Sequence, residues 1–145
     1  MKIYLIGSLR NPVIPEIGNK LRALGIDVFD DWFAGGKRAD DSWKDYEQRT
    51  GHTYSEALRG RMARHIFEFD KHHLDDSDAA ILVAPAGRSG HLELGYMVGQ
   101  GKCTVIYFPD GEPKLERWEV MTQFADYVVF DEASLLDIFE DHRGR

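Results

Sequence analysis

The chain of 145 residues has a single cysteine, no long apolar run and no excess of positive charge. Cys103 has no second thiol to pair with, so an intramolecular disulfide is excluded. Its place between Lys102 and the apolar run Thr104 to Phe108 suits a buried structural thiol, and no base is recognisably placed to make it a nucleophile. No stretch approaches the roughly 18 apolar residues of a membrane-crossing helix. Met1 leads directly into strand-like sequence, which leaves no room for a leader peptide, so a cytoplasmic protein is expected with no membrane partner. A formal net charge of −7 argues against wrapping a nucleic-acid polymer, which needs a basic surface to displace counterions, but leaves small phosphorylated ligands open. Internal repeats, low-complexity tracts and linkers are also missing. What remains, at 43% hydrophobic residues, is the composition of one globular domain over 1–145.

The order of elements specifies the fold class. Lys2 to Ile6 reads as a short strand, residues 14 to 24 as a helix stopped by Gly25, and Ile26 to Phe29 as a second strand. Strand, helix and strand in under thirty residues imply a parallel pair with a right-handed crossover. Asp30 to Gly51 has no clear period and is expected to be irregular, ordered by Trp32 and Trp43. A long helix is expected from Thr53 to Leu74, then a strand from Asp78 to Ala84, a helix after Ser89 and Gly90, and a strand from Cys103 to Phe108. A polar loop and a short helical piece around Trp118 lead to the strand Tyr127 to Phe130, the helix Glu132 to Glu140 and a charged tail expected to fray. The alternation predicts an α/β, doubly wound, flavodoxin-like sandwich with a five-stranded parallel sheet.

Two carboxylates stand out on this frame. Glu93 is expected in the first turn of its helix, where free N–H groups and the positive end of the macrodipole keep a carboxylate ionised. Asp70 lies on the stripe Tyr54, Leu58, Met62, Ile66 and Leu74, which the four-residue spacing predicts to face the core. A carboxyl on such a stripe is costly when ionised, so it is either hydrogen-bonded or held partly protonated with a raised pKa. One acid that stays charged beside one that keeps a proton is the pattern of a nucleophile and a general acid.

Sheets of this kind bind ligands at the carboxyl ends of the strands where the winding reverses, here between the first and third strands. The loops leaving those strands carry Gly7, Ser8 and Arg10 on one side and Ser89 on the other, so the topology predicts that Ser8, Arg10, Ser89 and Glu93 converge. Arg10, the two hydroxyls and the helix start beyond Ser89 would together make an anion site for the 5' end of a ligand. Other motifs weigh less. Gly87-Arg88-Ser89-Gly90-His91 departs from the G-x-S-x-G elbow at its last position, and His72 and His73 are neighbours that point to different sides of a helix, which suits a polar helix end better than a metal.

The stretch GHLELGYMVGQGK, residues 90 to 102, resembles the glutamate motif of the nucleoside 2-deoxyribosyltransferase family, in which the glutamate before Leu-Gly-Tyr is the catalytic nucleophile. Asp70-Lys-His-His-Leu-Asp-Asp-Ser-Asp78 before an apolar strand is similar to that family as well, and its first aspartate there protonates or contacts the departing base. Gly7-Ser8-Leu9-Arg10 looks more like the related 2'-deoxynucleoside 5'-monophosphate N-hydrolases, where the loop holds the 5'-phosphate. The resemblance implies Glu93 and Asp70 as catalytic residues, with Tyr4, Gly7, Ser8, Arg10, Trp32, Arg88, Ser89 and Gly90 as substrate-binding candidates. The chain departs from the transferases at Gly87-Arg88, where they carry a further aspartate six residues before the glutamate.

The residue chemistry agrees with this resemblance. Breaking an N-glycosidic bond passes through an oxocarbenium-like sugar, which one carboxylate can trap as an ester while the other carboxyl protonates the leaving base. Neither a cofactor nor a metal is called for. The reading implied is cleavage of 2'-deoxynucleosides or their 5'-monophosphates with transfer of the deoxyribosyl group to another nucleobase. Attack by water would make a hydrolase instead, and a non-catalytic nucleotide-binding or signalling module is the alternative on the same fold. The resemblance also implies a homo-oligomer, most simply a dimer, and the aromatic residues of the 30–54 segment with Trp118 offer apolar surface for it.

Overall fold

The computed structural model describes residues 1–140. The charged tail lies outside the described residues. Strand β1 (Lys2–Ile6) leads into helix α1 (Val13–Ala23), and the chain turns at Gly25, whose φ of +83° is the left-handed region that favours glycine. Strand β2 (Asp27–Phe29) is followed by a 3₁₀ turn (Asp31–Gly35) and by helices α2 (Ala39–Arg49), α3 (Tyr54–Leu58) and α4 (Arg61–Asp75). Then come β3 (Ala79–Val83), α5 (Arg88–Gly99), β4 (Cys103–Tyr107), a second 3₁₀ turn (Val120–Phe124), β5 (Tyr127–Val129) and α6 (Glu132–Glu140).

The strands form one all-parallel sheet in the order β2-β1-β3-β4-β5, with Tyr4 of β1 opposite Phe29 of β2 and Ala80 of β3. This is the expected flavodoxin-like α/β sandwich, and the winding reverses between β1 and β3. Alternating side chains serve two layers. Ile3, Leu5, Ile81 and Val83 pack with Ile14, Leu21, Leu135 and Phe139 of α1 and α6 on one face. Tyr4, Ile6, Ala80 and Leu82 pack with Leu74, Leu94 and Met97 of α4 and α5 on the other. No helix among the described residues is long and apolar enough to cross a membrane.

Four expectations need correction. Residues 30 to 51 are largely helical: α2 has Asp40 and Asp41 in its first turn and Arg49 in its last, charges that favour the macrodipole, but it buries only Glu47 and so lacks an apolar stripe to read. The long helix expected over 53 to 74 is two helices. Thr53 and Glu56 close a capping box on α3, and the chain breaks at Arg59 and Gly60, the latter capping α4 in extended conformation. The stripe itself does not face this chain's core: Tyr54 is 69% exposed, Leu58 56%, Met62 48% and Ile66 43%, while only Leu74 is buried. The helical piece expected around Trp118 lies over Val120–Phe124, leaving Trp118 exposed.

Candidate active site

Helix α5 starts at Arg88, with extended Gly87 as its cap, so Glu93 lies in the second turn and not in the first. The expectation of a carboxylate ionised by a helix start is therefore overturned. Gly90, a candidate for substrate contact, is buried in packing: a Cβ there would lie 2.9 Å from Ile6 Cγ2 and 3.2 Å from Ala86 Cβ. That close approach lays α5 on β1 and points Glu93 toward Tyr4. The Tyr4 phenol, 1% exposed, comes within hydrogen-bonding reach of the Glu93 carboxyl, whose Oε2 is buried with no partner.

Burial pushes the Glu93 carboxyl up to about 7; the hydrogen bond from Tyr4 opposes this and the negative charge of Asp70 adds to it. The Tyr4 phenol is held well above its usual range, first by burial and then by the two carboxylates. Asp70, half-buried on α4, is also raised, by burial. Both acids thus lean toward the protonated form. Beside them Tyr4, Phe29, Phe69 and His73 make an aromatic wall, with ring centroids 5.0 Å apart for Tyr4 and Phe29 and 3.9 Å for the stacked Phe29 and His73. Lys2 Nζ lies 3.1 Å from His73 Nδ1, and the His73 imidazole is lowered, chiefly by desolvation.

The relative placement of α4 and α5 is fixed by a polar clamp that sequence reasoning missed. Asp75, at the end of α4, accepts hydrogen bonds from Tyr96 Oη at 2.5 Å, Gln100 Nε2 at 3.1 Å and Lys71 Nζ at 2.9 Å. Lys102 Nζ donates to the carbonyls of Leu74 and Asp75 at 2.9 and 2.8 Å. The hydrogen bonds from Tyr96, Lys71 and Gln100 hold the Asp75 carboxyl well below the usual carboxylate range. Tyr96, Gln100 and Lys102 are polar residues of the motif that follows Glu93, with Tyr96 on α5, Gln100 capping it and Lys102 just beyond its end.

A separate cleft of about 280 Å³ opens at the carboxyl ends of β1, β3 and β4, lined among others by Ser8, Arg10, Asn11, Pro85 and Asp110. Gly7 allows α1 to close on the end of β1, since a Cβ there would meet Ile14 Cδ1 at 2.5 Å. Ser8 Oγ accepts from the Arg10 amide at 3.1 Å, and the Arg10 guanidinium lies 3.4 Å from Asp41 and 3.8 Å from Asp40. Arg88 and Ser89 are exposed at the start of α5 and do not line this cleft. The four residues expected to converge are therefore divided: Ser8 and Arg10 share the cleft, Glu93 sits with Tyr4 and Asp70, and Ser89 stands apart. Trp32 is half-buried and donates from Nε1 to the Leu5 carbonyl at 2.7 Å, packing against both core layers. Cys103 is half-buried and free, its thiol raised by burial.

No family model and no curated protein matches the chain. Solved structures do. A 2-deoxyribosyltransferase from Bacillus psychrosaccharolyticus superposes with a TM-score of 0.58 at 18% identity, over 94% of this chain and 90% of that one. A CMP N-glycosidase from Clostridium botulinum superposes with a TM-score of 0.54 at 13% identity, over 97% of this chain and 99% of that one. At these identities the likeness establishes a common fold.

Proposed function

We propose that this chain is a member of the nucleoside 2-deoxyribosyltransferase family that cleaves the N-glycosidic bond of 2'-deoxynucleosides or their 5'-monophosphates and passes the deoxyribosyl group to another nucleobase. The observation that carries the reading is the buried Glu93 carboxyl, with one unpartnered oxygen, beside Tyr4 and the electrostatically coupled Asp70. A carboxylate oxygen that no group of the chain engages is free to meet an electrophile, and a sugar C1' is one. The two similar folds are those of a 2-deoxyribosyltransferase and a CMP N-glycosidase, which supports chemistry at an N-glycosidic bond.

Asp70, whose affinity for a proton burial raises, gives a proton to the departing base. Ionised Glu93 attacks C1' of the oxocarbenium-like sugar and forms a glycosyl ester as the C–N bond breaks. An incoming base attacks C1' through a ring nitrogen, Glu93 leaves as carboxylate, and the proton lost by that nitrogen returns to Asp70. Tyr4 holds the carboxylate oriented throughout. Water in place of the second base gives free deoxyribose, the hydrolytic reading, which the N-glycosidase fold supports.

A second copy of the chain covers the exposed stripe of α3 and α4, where Tyr54, Leu58, Met62, Ile66, Phe67 and Phe69 are all more than two-fifths exposed. The test is incubation of the protein with a 2'-deoxynucleoside and an excess of a second free base. Transfer converts the deoxynucleoside into the new one and leaves a sugar adduct on Glu93 in rapidly denatured protein, detected by mass spectrometry. Free sugar alone, at a rate indifferent to added base, selects hydrolysis, and full activity in Glu93→Ala refutes the nucleophile. Light scattering on the same sample reads the assembly, and an active 16.6 kDa particle sinks it.

A further inference from the structure

We infer that the Trp43 indole N–H is a substrate contact, donating to an acceptor on the edge of the nucleobase and supporting its departure. The inference rests on the N-glycosidic reading above and adds a specificity-determining residue to it. Among the described residues, two buried side-chain polar atoms bond nothing in the chain, Glu93 Oε2 and Trp43 Nε1. The first belongs to the proposed nucleophile. The second needs a reason of its own, because a buried N–H without an acceptor has given up its bond to water for nothing. The other two indoles of the chain each find a partner: Trp32 Nε1 donates to the Leu5 carbonyl at 2.7 Å, and Trp118 Nε1 to the Pro113 carbonyl at 3.1 Å although Trp118 is exposed. Core packing does not account for Trp43 either, since it joins neither layer of the sandwich, whereas Trp32 packs against both.

The position of α2 decides what this donor faces. Asp40, Trp43 and Glu47 are spaced three and four residues apart and so share one side of the helix. Asp40 lies 3.8 Å from the Arg10 guanidinium, which lines the cleft at the carboxyl ends of β1, β3 and β4. Glu47 is buried, lies 2.6 Å from His52 Nδ1 and sits beside Gly60, where a Cβ would be 3.7 Å from its Oε1. Gly60 caps α4, the helix of Asp70, and α4 starts on the carboxyl side of the sheet because it runs down toward the start of β3. Helix α2 therefore spans from the cleft to the start of α4, with Trp43 on its inner side between the two attachments. An indole N–H donates and cannot accept. A sugar hydroxyl placed against it would bring a hydrogen of its own that the indole cannot receive, whereas a carbonyl oxygen or ring nitrogen of a base brings none. As the C–N bond breaks, its electron pair passes to the base and those acceptors become more basic, so the bond from Trp43 strengthens in the transition state. The proton that the base takes comes from Asp70, and Trp43 keeps its own.

The test reads the indole N–H directly by nuclear magnetic resonance. In isotopically labelled Glu93→Ala protein, which holds substrate without turning it over, the Trp43 signal is the indole N–H resonance that Trp43→Phe removes. Saturation with 2'-deoxyadenosine is expected to move that proton downfield and to slow its exchange with water, while the abasic sugar 1,2-dideoxyribose leaves it in place. A Trp43 signal that stays put while other resonances report saturation overturns the inference and leaves the N-glycosidic reading standing. An equal shift with the abasic sugar overturns the assignment to the base. Binding of the nucleoside at no resonance refutes the proposed reaction and the inference with it. Trp43→Phe in the otherwise native chain keeps an aromatic ring without the donor, and it should lower kcat for 2'-deoxyadenosine about tenfold with KM within about twofold. An unchanged kcat, or a loss confined to KM, overturns the role in departure of the base.

Discussion

Replacing Glu93 with Gln should stabilise the protein at alkaline pH while abolishing its chemistry. The folded carboxyl holds its proton to about 7, where its ordinary value is 4.5. Between those values the native state binds more protons than the unfolded chain, so stability falls as pH rises through the window, and the penalty is complete above about 7. At 1.36 kcal/mol per pKa unit, the penalty is about 3 kcal/mol. Glutamine resembles the protonated acid and carries none of it, and the Tyr4 hydroxyl can turn to accept from the new amide. In urea, with a slope of roughly 2 kcal/mol/M, the variant midpoint should exceed the wild type by about 1.5 M at pH 8 and match it closely at pH 4. Asp70 still titrates in the variant and leaves a smaller residual slope. Parallel curves across the whole range, or a variant less stable than the wild type at pH 8, would refute the burial argument. The same titration in the wild type predicts that activity rises with pH through about 7, as the nucleophile ionises.

Two further outcomes follow from the geometry. Asp70→Asn should slow release of ordinary nucleobases by about 10²- to 10⁴-fold and spare a substrate whose leaving group needs no proton, and its pH–rate profile should lose the alkaline limb; equal loss on both substrates would make Asp70 a structural or sugar-binding group. Asp75→Asn and Tyr96→Phe should each loosen the clamp between α4 and α5, lowering kcat by up to about a hundredfold with KM little changed, since misplacing a reacting group is felt mainly at the transition state. A rise in KM alone, measured by steady-state kinetics, would show that the clamp does not position the carboxyl pair.

The sheet was legible because each strand is an apolar run closed by glycine, proline or a polar turn, and β3, buried at every position, carries the strongest such run. Helix α2 was not, because its eleven residues bury only Glu47 and so show no apolar period. The environment of Glu93 was misjudged. Ser89 and Gly90 look like a helix start, but the helix begins at Arg88, which puts Glu93 past the first turn, on a helix that Gly90 brings close against β1. Tyr4 carried a weak signal, a phenol in the apolar run of the strand KIYLI, and the acids around Arg10 carried none, since Asp40 and Asp41 open helix α2 and Asp110 lies in the distant loop after β4.

The stripe through Asp70 makes a different kind of error. A four-residue period measures which face of a helix is apolar, and it is indifferent to whether this chain or another covers that face. Met62 and Ile66 are exposed here, Leu74 is buried, and Asp70 lies between them, half-buried. Desolvation is the cause of its raised affinity for a proton. In the proposed dimer the exposed part of the stripe is covered as well, so association and proton retention draw on the same burial. Asp70, the proposed general acid, is then most fully protonated when the chain is assembled, and dilution that separates the copies should weaken the proposed acid step before it disturbs Glu93, whose burial against Tyr4 is provided within one chain.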